Sequence, residues 1–381
     1  MATYRYLFYD LLSNAPLAEL PMKRVVFDSP LNGVGSYVGY LPLADPSIEQ
    51  LQVYSATVPG RTALYIDRGG TLVWGGIVVS RKFSQGQNVY GSVGPFTMEI
   101  QAAEFMWYFL NKRVIAADTI FTNAEQMTIP GALINTAQAV RNGSIGVNVP
   151  SFPASGILRT QTWQGTEKKK VGQAIIDMSQ LDQGFDWAIQ VGYGIGGQPA
   201  GVPGKQLQLG YPRLGVPFTT SGWMFEFPGN IVDYLWPEDA SAQAITAYVQ
   251  GQGTGTNMIQ SSNTITSLLD AGYPLLEDVF VLKDQTDPNA VAARAVSAAK
   301  AFSLPVTLPV IMVRADQEPV LGSYAVGDDA NIRITSPQYP AIAPSVGYDV
   351  FWRIIGRRVE PQQAENSKPE RVFLTLGAVP V

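Results

Sequence analysis

The chain has 381 residues, no histidine, no cysteine, and 26 basic against 31 acidic side chains, for a net charge of -5. Without histidine and cysteine there can be no Ser-His-Asp or Cys-His nucleophile, no His- or Cys-ligated zinc, no haem ligation by these residues and no iron–sulfur cluster. The acidic balance offers no electrostatic footprint for nucleic acid, which leaves carboxylate chemistry, lysine chemistry, oxygen-ligated cations, or no chemistry at all.

Thirty-seven glycines and 27 prolines punctuate the chain and favour short strands over long helices. Strands are predicted over residues 4–10, 20–28 and 51–55. A hairpin follows, with arms 61–67 and 71–79 around the tight turn Arg68-Gly69-Gly70. Gly75-Gly76 inside the second arm predicts a bulge or a close backbone approach. A strand at 98–101 runs into an apolar segment, 102–115, that reads as helix. Residues 1–112 are thus expected to form an N-terminal β domain, a small barrel or sandwich.

Residues 113–235 read as an α+β domain. Helical pieces within 119–140 are broken at Pro130-Gly131. Residues 168–181 place Val171, Ile175, Met178 and Leu181 on one helical face. Lys168, Lys169 and Lys170 at its start would oppose the positive end of the helix dipole. They read either as a solvated approach to the helix or as a cluster facing an acidic partner surface. Residues 185–191 and 206–210 read as hairpin arms around the loop 192–204. Residues 236–305 form an α/β segment with a strand at 245–250, a glycine-rich run at 251–256 and an alanine-rich helix at 289–302. Asp287-Pro288 supplies that helix with a cap and first-turn pair. Residues 306–381 return to β structure, with strands at 306–313, 330–334, 347–357 and 371–376 and a turn at 324–328. The fold class expected is mainly β with α+β insertions; length alone predicts two to four domains.

Most motif-like strings carry no chemistry. Gly192-Tyr193-Gly194-Ile195-Gly196-Gly197 imitates a dinucleotide fingerprint, yet Gln198-Pro199-Ala200-Gly201 follows and cannot form the helix that would hold a pyrophosphate. A hairpin loop is the better reading. The 251–256 run lacks the lysine of a phosphate loop, no Gly-x-Ser-x-Gly elbow exists, and Asn142-Gly143-Ser144 reads as a turn. Paired carboxylates are the one remaining route to catalysis, since glycoside hydrolysis needs only two. The candidates are Asp182 with Asp186, Glu277 with Asp278, and Asp328 with Asp329. Neighbouring acids on a strand face opposite ways, so the chain is expected to be no enzyme, with no catalytic, cofactor-binding or metal-binding residue and no small-molecule substrate.

Several strings together resemble a known family. Leu31-Asn32-Gly33-Val34-Gly35-Ser36, continuing to Leu41-Pro42-Leu43, and Leu72-Val73-Trp74-Gly75-Gly76-Ile77-Val78 are similar to segments of phage tail proteins. Pro228-Gly229-Asn230-Ile231-Val232-Asp233-Tyr234, Tyr324-Ala325-Val326-Gly327-Asp328, Trp352-Arg353-Ile354-Ile355-Gly356 and Val372-Phe373-Leu374-Thr375-Leu376-Gly377 follow in the family's order. The chain resembles the minor tail proteins that form the tail-tip hub of long-tailed actinobacterial phages, relatives of the baseplate hub of contractile-tailed phages. The resemblance implies a homotrimer with two barrel-like β domains per subunit, forming a pseudo-hexameric ring that closes the tail tube. It also implies contacts with the distal tail ring, the tape-measure protein and other tip proteins, and DNA passing only transiently through the channel. The location implied is the distal end of the virion tail, after synthesis in the host cytoplasm. Many hub relatives continue into a receptor-binding or wall-degrading extension, whereas this sequence ends at Val381, so those activities are expected in separate tip proteins.

Composition agrees with a covered, structural role. Charged residues make up 15% of the chain, against about 25% in ordinary soluble domains, as in surfaces that other proteins cover. The N-terminus lacks a signal-peptide core, and the longest apolar stretch, 71–79, is far short of a spanning helix. Missing cysteine excludes disulfides. The alternatives are a distal tail ring protein, which would be hexameric, or a carboxylate-dependent glycan-binding or glycan-hydrolysing tail protein.

Overall fold

The computed structural model describes residues 3–44, 48, 50–84, 96–304, 308–341, 347–362 and 369–379. The N-terminal region is built from β1 (Tyr4–Asp10), β2 (Pro16–Glu19), β3 (Lys23–Pro30), β4 (Ser36–Pro42), helix α1 (Gln50–Ala56), β5 (Thr62–Arg68), β6 (Thr71–Ser84) and β7 (Thr97–Glu104). The predicted hairpin is β5–β6, closed by Gly69 and Gly70, both at positive φ. Its apolar runs are continuous because both faces are covered: Leu64 and Ile66 of β5 enter one core, Ala63 and Tyr65 another. Gly76 is the predicted close approach, since a Cβ there would lie 2.3 Å from the carbonyl oxygen of Ala103 on β7.

Two local expectations are corrected here. Residues 51–55 are helix, not strand: Val53 and Ala56, one turn apart, are both buried, and Thr57 Oγ1 donates to the Val53 carbonyl at 2.7 Å. The predicted helix 102–115 starts later. Met98, Ile100 and Ala102 alternate inward at the period of a strand, so β7 runs on to Glu104 before a short helix, α2 (Met106–Asn111).

The middle of the chain contains β8 (Thr119–Glu125), α3 (Ile129–Gln138), β9 (Val147–Asn148), β10 (Leu158–Trp163), α4 (Val171–Ser179), β11 (Asp186–Tyr193), β12 (Pro203–Gly210) and α5 (Phe218–Ser221). Pro130-Gly131 does not break a helix but begins one, because proline in a first turn forfeits no helical hydrogen bond. Helix α4 is shorter than predicted, and the three lysines lie outside it, Lys170 being its extended N-cap. Lys169 is largely buried between Asp177 (2.9 Å) and Asp284 (2.7 Å), so its acidic neighbours belong to its own chain. Helices α2, α3 and α4 and the β11–β12 hairpin cover the second face of the N-terminal sheet with Phe109, Ile134, Ile175 and Trp187.

The rest comprises β13 (Met224–Phe227), β14 (Ile231–Leu235), β15 (Thr246–Gln250), β16 (Gln260–Thr264), α6 (Thr266–Asp270), β17 (Glu277–Val281), α7 (Pro288–Phe302), β18 (Val310–Val313), β19 (Asp329–Ile334), β20 (Tyr348–Glu360) and β21 (Arg371–Gly377). Residues 306 and 307 of the predicted strand 306–313 lie outside the described residues. Asp287 caps α7 by accepting from the Asn289 N–H. Its Val291, Ala295, Ala298 and Ala299 pack on Ala247 and Val249 of the small β16-β15-β17 sheet.

The two β-rich ends join in a single 13-stranded sheet ordered β14-β18-β21-β20-β3-β4-β7-β6-β5-β1-β2, with β13-β19 on the other part of β20. The long strand β20 makes the join. Its first half pairs with β19, and its second half pairs with β3, Gly356 opposite Pro30 and Val359 opposite Phe27. One hydrophobic core runs through both ends, from Phe8, Phe27 and Trp74 to Ile354, Val372 and Leu374. Strands β13 and β14, from residues 224–235, pair with β19 and β18 and so belong to this sheet.

A cleft where the sequence motifs converge

Four of the strings singled out in the sequence meet at the junction of the large sheet with the β11–β12 hairpin. Asn32 donates from Nδ2 to Asp186 Oδ1 (2.6 Å) and accepts the Trp187 N–H on Oδ1 (2.7 Å). Arg353 donates from Nη2 to Asp186 and to the Leu214 carbonyl (2.6 Å), and from Nε to the Gly327 carbonyl (3.0 Å). Asp186 also accepts the Leu214 N–H at 3.0 Å. Both charges are buried, so the pairing must be complete; removing one partner of such a pair costs about 3–5 kcal/mol. Trp74 Nε1 donates to the Asp28 carbonyl at 2.9 Å. The glycines in these strings permit the approach: a Cβ on Gly35 would sit 2.0 Å from the Asp28 carbonyl oxygen.

Beside this node opens a cleft of ≈ 780 Å³. Its walls come from β6, β11, the loop 214–216, the turn 322–328 and β20. Its lining is mostly apolar and carries three charged residues, Glu104, Asp328 and Arg357. The two carboxyls are already engaged. Asp328 accepts the N–H groups of Val216 (2.8 Å) and Ala325 (2.9 Å), while Glu104 accepts Ser29 Oγ (2.7 Å) and the Gly35 N–H (2.8 Å). Burial pushes the Glu104 carboxyl up to about 7, so near neutral pH it is held partly as the acid. Among the described residues, three buried donors of residues near the cleft have no partner: Trp187 Nε1, the Tyr324 hydroxyl and Arg357 Nε. Arg357 donates from Nη2 to the Val73 carbonyl at 2.8 Å.

The carboxylate pairs do not face a common space. Asp182 accepts from Lys300 (3.2 Å) while Asp186 sits in the buried node; Glu277 takes the Tyr248 hydroxyl while Asp278 caps the Val279 N–H; Asp329 is held by both terminal nitrogens of Arg213 at 2.6 and 2.7 Å. The Gly192–Gly197 string lies at the turn of the β11–β12 hairpin, Tyr193 pairing with Pro203. Among the described residues, no group of three or more Asp or Glu side chains could hold a metal ion. Sequence reasoning missed Glu104, Trp187 and Arg357. The available signal for Glu104 was an acid set near the start of the apolar run 102–110; Arg357, one of three arginines in β20, had no local signal.

No protein-family model and no curated protein matches this sequence. Solved structures do match, from end to end. The 43 kDa tail protein of prophage MuSo2 from Shewanella oneidensis superposes with a TM-score of 0.58 at 10% identity, covering 98% of each chain. A tail protein from Neisseria meningitidis MC58 gives 0.58 at 12% identity, over 97% of this chain and 96% of that one. Prophage tail protein gp18 from Listeria monocytogenes EGD-e gives 0.51 at 11%, over 97% and 94%. The chain therefore has the fold of phage tail proteins: mainly β, with several sheets, over its whole length.

Proposed function

We propose that this chain is the structural hub subunit at the distal end of a bacteriophage tail. It acts as a homotrimer, with two β modules per subunit occupying six positions around the axis and closing the tail tube. It joins the distal tail ring and the tape-measure protein to the tip proteins, and DNA passes it only in transit. The observation that carries this reading is the end-to-end match to tail proteins, with no part of the chain left over as a separate catalytic module. The ordered motif strings extend it to long-tailed phages of actinobacteria.

The surface agrees with such a position. Exposed large apolar side chains are spread over the chain, among them Leu12, Ile120, Leu158, Leu235, Tyr248, Val279 and Phe351. Assembly would cover them, and obligate interfaces bury about 2,000 Å² or more. A hub does no chemistry, in keeping with carboxylates held by structural partners. Native mass of the purified protein and the rotational symmetry of averaged tail tips test the reading. Three copies around the axis are expected; six copies would make it a ring protein instead, and glycan turnover lost in an Asp or Glu variant would make it an enzyme.

A further inference from the structure

We propose that residues 244–303 form a flap that swings away from the body of the subunit on a two-stranded hinge and is held down by a polar latch around Lys169. The flap carries its own core. The apolar clusters under α7 draw all their members from residues 247–302, and among the described residues neither of the two large cores draws any from that range. Units of one chain move against each other unless the interface between them is large and apolar.

The seam between flap and body is polar. Lys169 Nζ reaches Asp284 of the flap at 2.7 Å and Asp177 of the body at 2.9 Å. Lys300 Nζ donates to Asp182 Oδ1 (3.2 Å), Ser297 Oγ to the Gln180 carbonyl (2.7 Å), and the Asp182 N–H to the Ala293 carbonyl (3.2 Å). On opening, Lys169 keeps Asp177, while the side chains of Asp284 and Lys300, already 40% and 64% exposed, pass to water. Release therefore strands no buried charge. Beside Lys169 the seam leaves a cavity of ≈ 20 Å³ lined by Met178 of the body and Leu282 of the flap, room for one water where a fixed interface would be close-packed.

Both connections to the flap leave the large sheet at one place, because Leu235 of β14 lies opposite Val310 of β18. On the body side Trp236 is fixed edge-on against Tyr348 and Trp352, with ring centres 4.9 and 5.5 Å away. At the base of the flap the two connections meet again: the Ala244 N–H donates to the Phe302 carbonyl and Gln243 Nε2 to the Ser303 carbonyl, both at 2.8 Å. Between these anchors residues 238–242 are all exposed, and a few such loop residues suffice to absorb a hinge rotation.

The chain has no cysteine, so Ile120→Cys on the body and Val279→Cys on the flap, both at exposed positions, place one pair of spin labels on the full chain. Measured with labelled chain diluted into unlabelled chain, the pair should give one main distance. Adding Lys169→Gln should raise a second, distinct distance about tenfold, as one lost hydrogen bond to a charge implies, with hydrogen exchange across 246–250 unchanged. If Lys169→Gln does not fold, Lys300→Glu takes its place and should act in the same direction. An unchanged distance distribution would overturn the proposal. So would a second distance accompanied by fast exchange across 246–250, because the flap would then be melting and not swinging.

Discussion

Lys205 is a cation placed where water cannot reach it: 2% exposed, donating from Nζ to the Ile145 carbonyl at 2.6 Å and lying 4.7 Å from the centre of the Phe105 ring. Among the described residues no carboxylate pairs with it, and burial pushes its ammonium down to about 7 from 10.5. The unfolded chain therefore keeps a proton between about pH 7 and 10.5 that the folded chain has released. Stability should rise with pH across that window, by up to about 1.4 kcal/mol per unit, and show no such slope from this group below it. Lys205→Met should flatten the rise and raise stability at pH 7. Denaturant titrations of both proteins at pH 7 and pH 9.5 would measure it, and parallel curves would refute it. Alternation along β12 puts Lys205 on the buried face of Leu207 and Leu209, opposite Gln206 and Gln208, but the predicted strand starts only at Gln206. Asn32, Gly35, Gly327 and Arg353 were visible as members of strings but not as neighbours. Only the closure of the sheet shows that they form one junction.

Elements whose signals are local were legible. The β5–β6 hairpin has a two-glycine turn between apolar arms, and α7 has a capping Asp287 and an alanine face. Elements decided by distant packing were not. Helix α1 contains the strand-like residues Val53 and Tyr54, and the Ala102–Glu104 end of β7 looks helical in isolation; both follow the core they face. The alanines of α7 make a prediction at this scale. Ala295 is fully buried against Val249, so Ala295→Leu should force the helix off its three-stranded sheet. Overpacking of this kind costs about 1–3 kcal/mol. Hydrogen exchange should speed up across residues 246–302 and leave β5 and β6 unchanged; loss of protection throughout the chain would show instead that this segment is not a separate packing unit.

Across the whole molecule, the two ends are also clamped by charge. Arg68 on β5 holds Glu370 with two bonds of 2.8 Å, and the same guanidinium donates to the carbonyls of Leu321 (3.0 Å) and Ala315 (3.2 Å). Both side chains are 13% exposed, so the pair sits largely out of solvent. Arg68→Met should cost about 3–5 kcal/mol by stranding the Glu370 charge, and adding Glu370→Gln should restore part of it. Equal losses in the single and double variants would show that the stranded Glu370 charge is not the cause. That β-rich ends flank a mixed middle could be read from turn spacing. That they share one sheet could not, because the pairing of β3 with β20 leaves no local trace in either strand.

The β3–β20 seam also sets a schedule. Pro30 leaves the ribosome roughly 330 residues before Gly356, which at ordinary bacterial synthesis rates is about 15–65 s. Throughout that interval one border of the nascent sheet has its N–H and C=O groups open, and open borders recruit other strands. The N-terminal region cannot complete itself as it is born. It must wait until β20 has been made, and crowded synthesis of many copies would be the moment when chains pair with one another instead of with themselves.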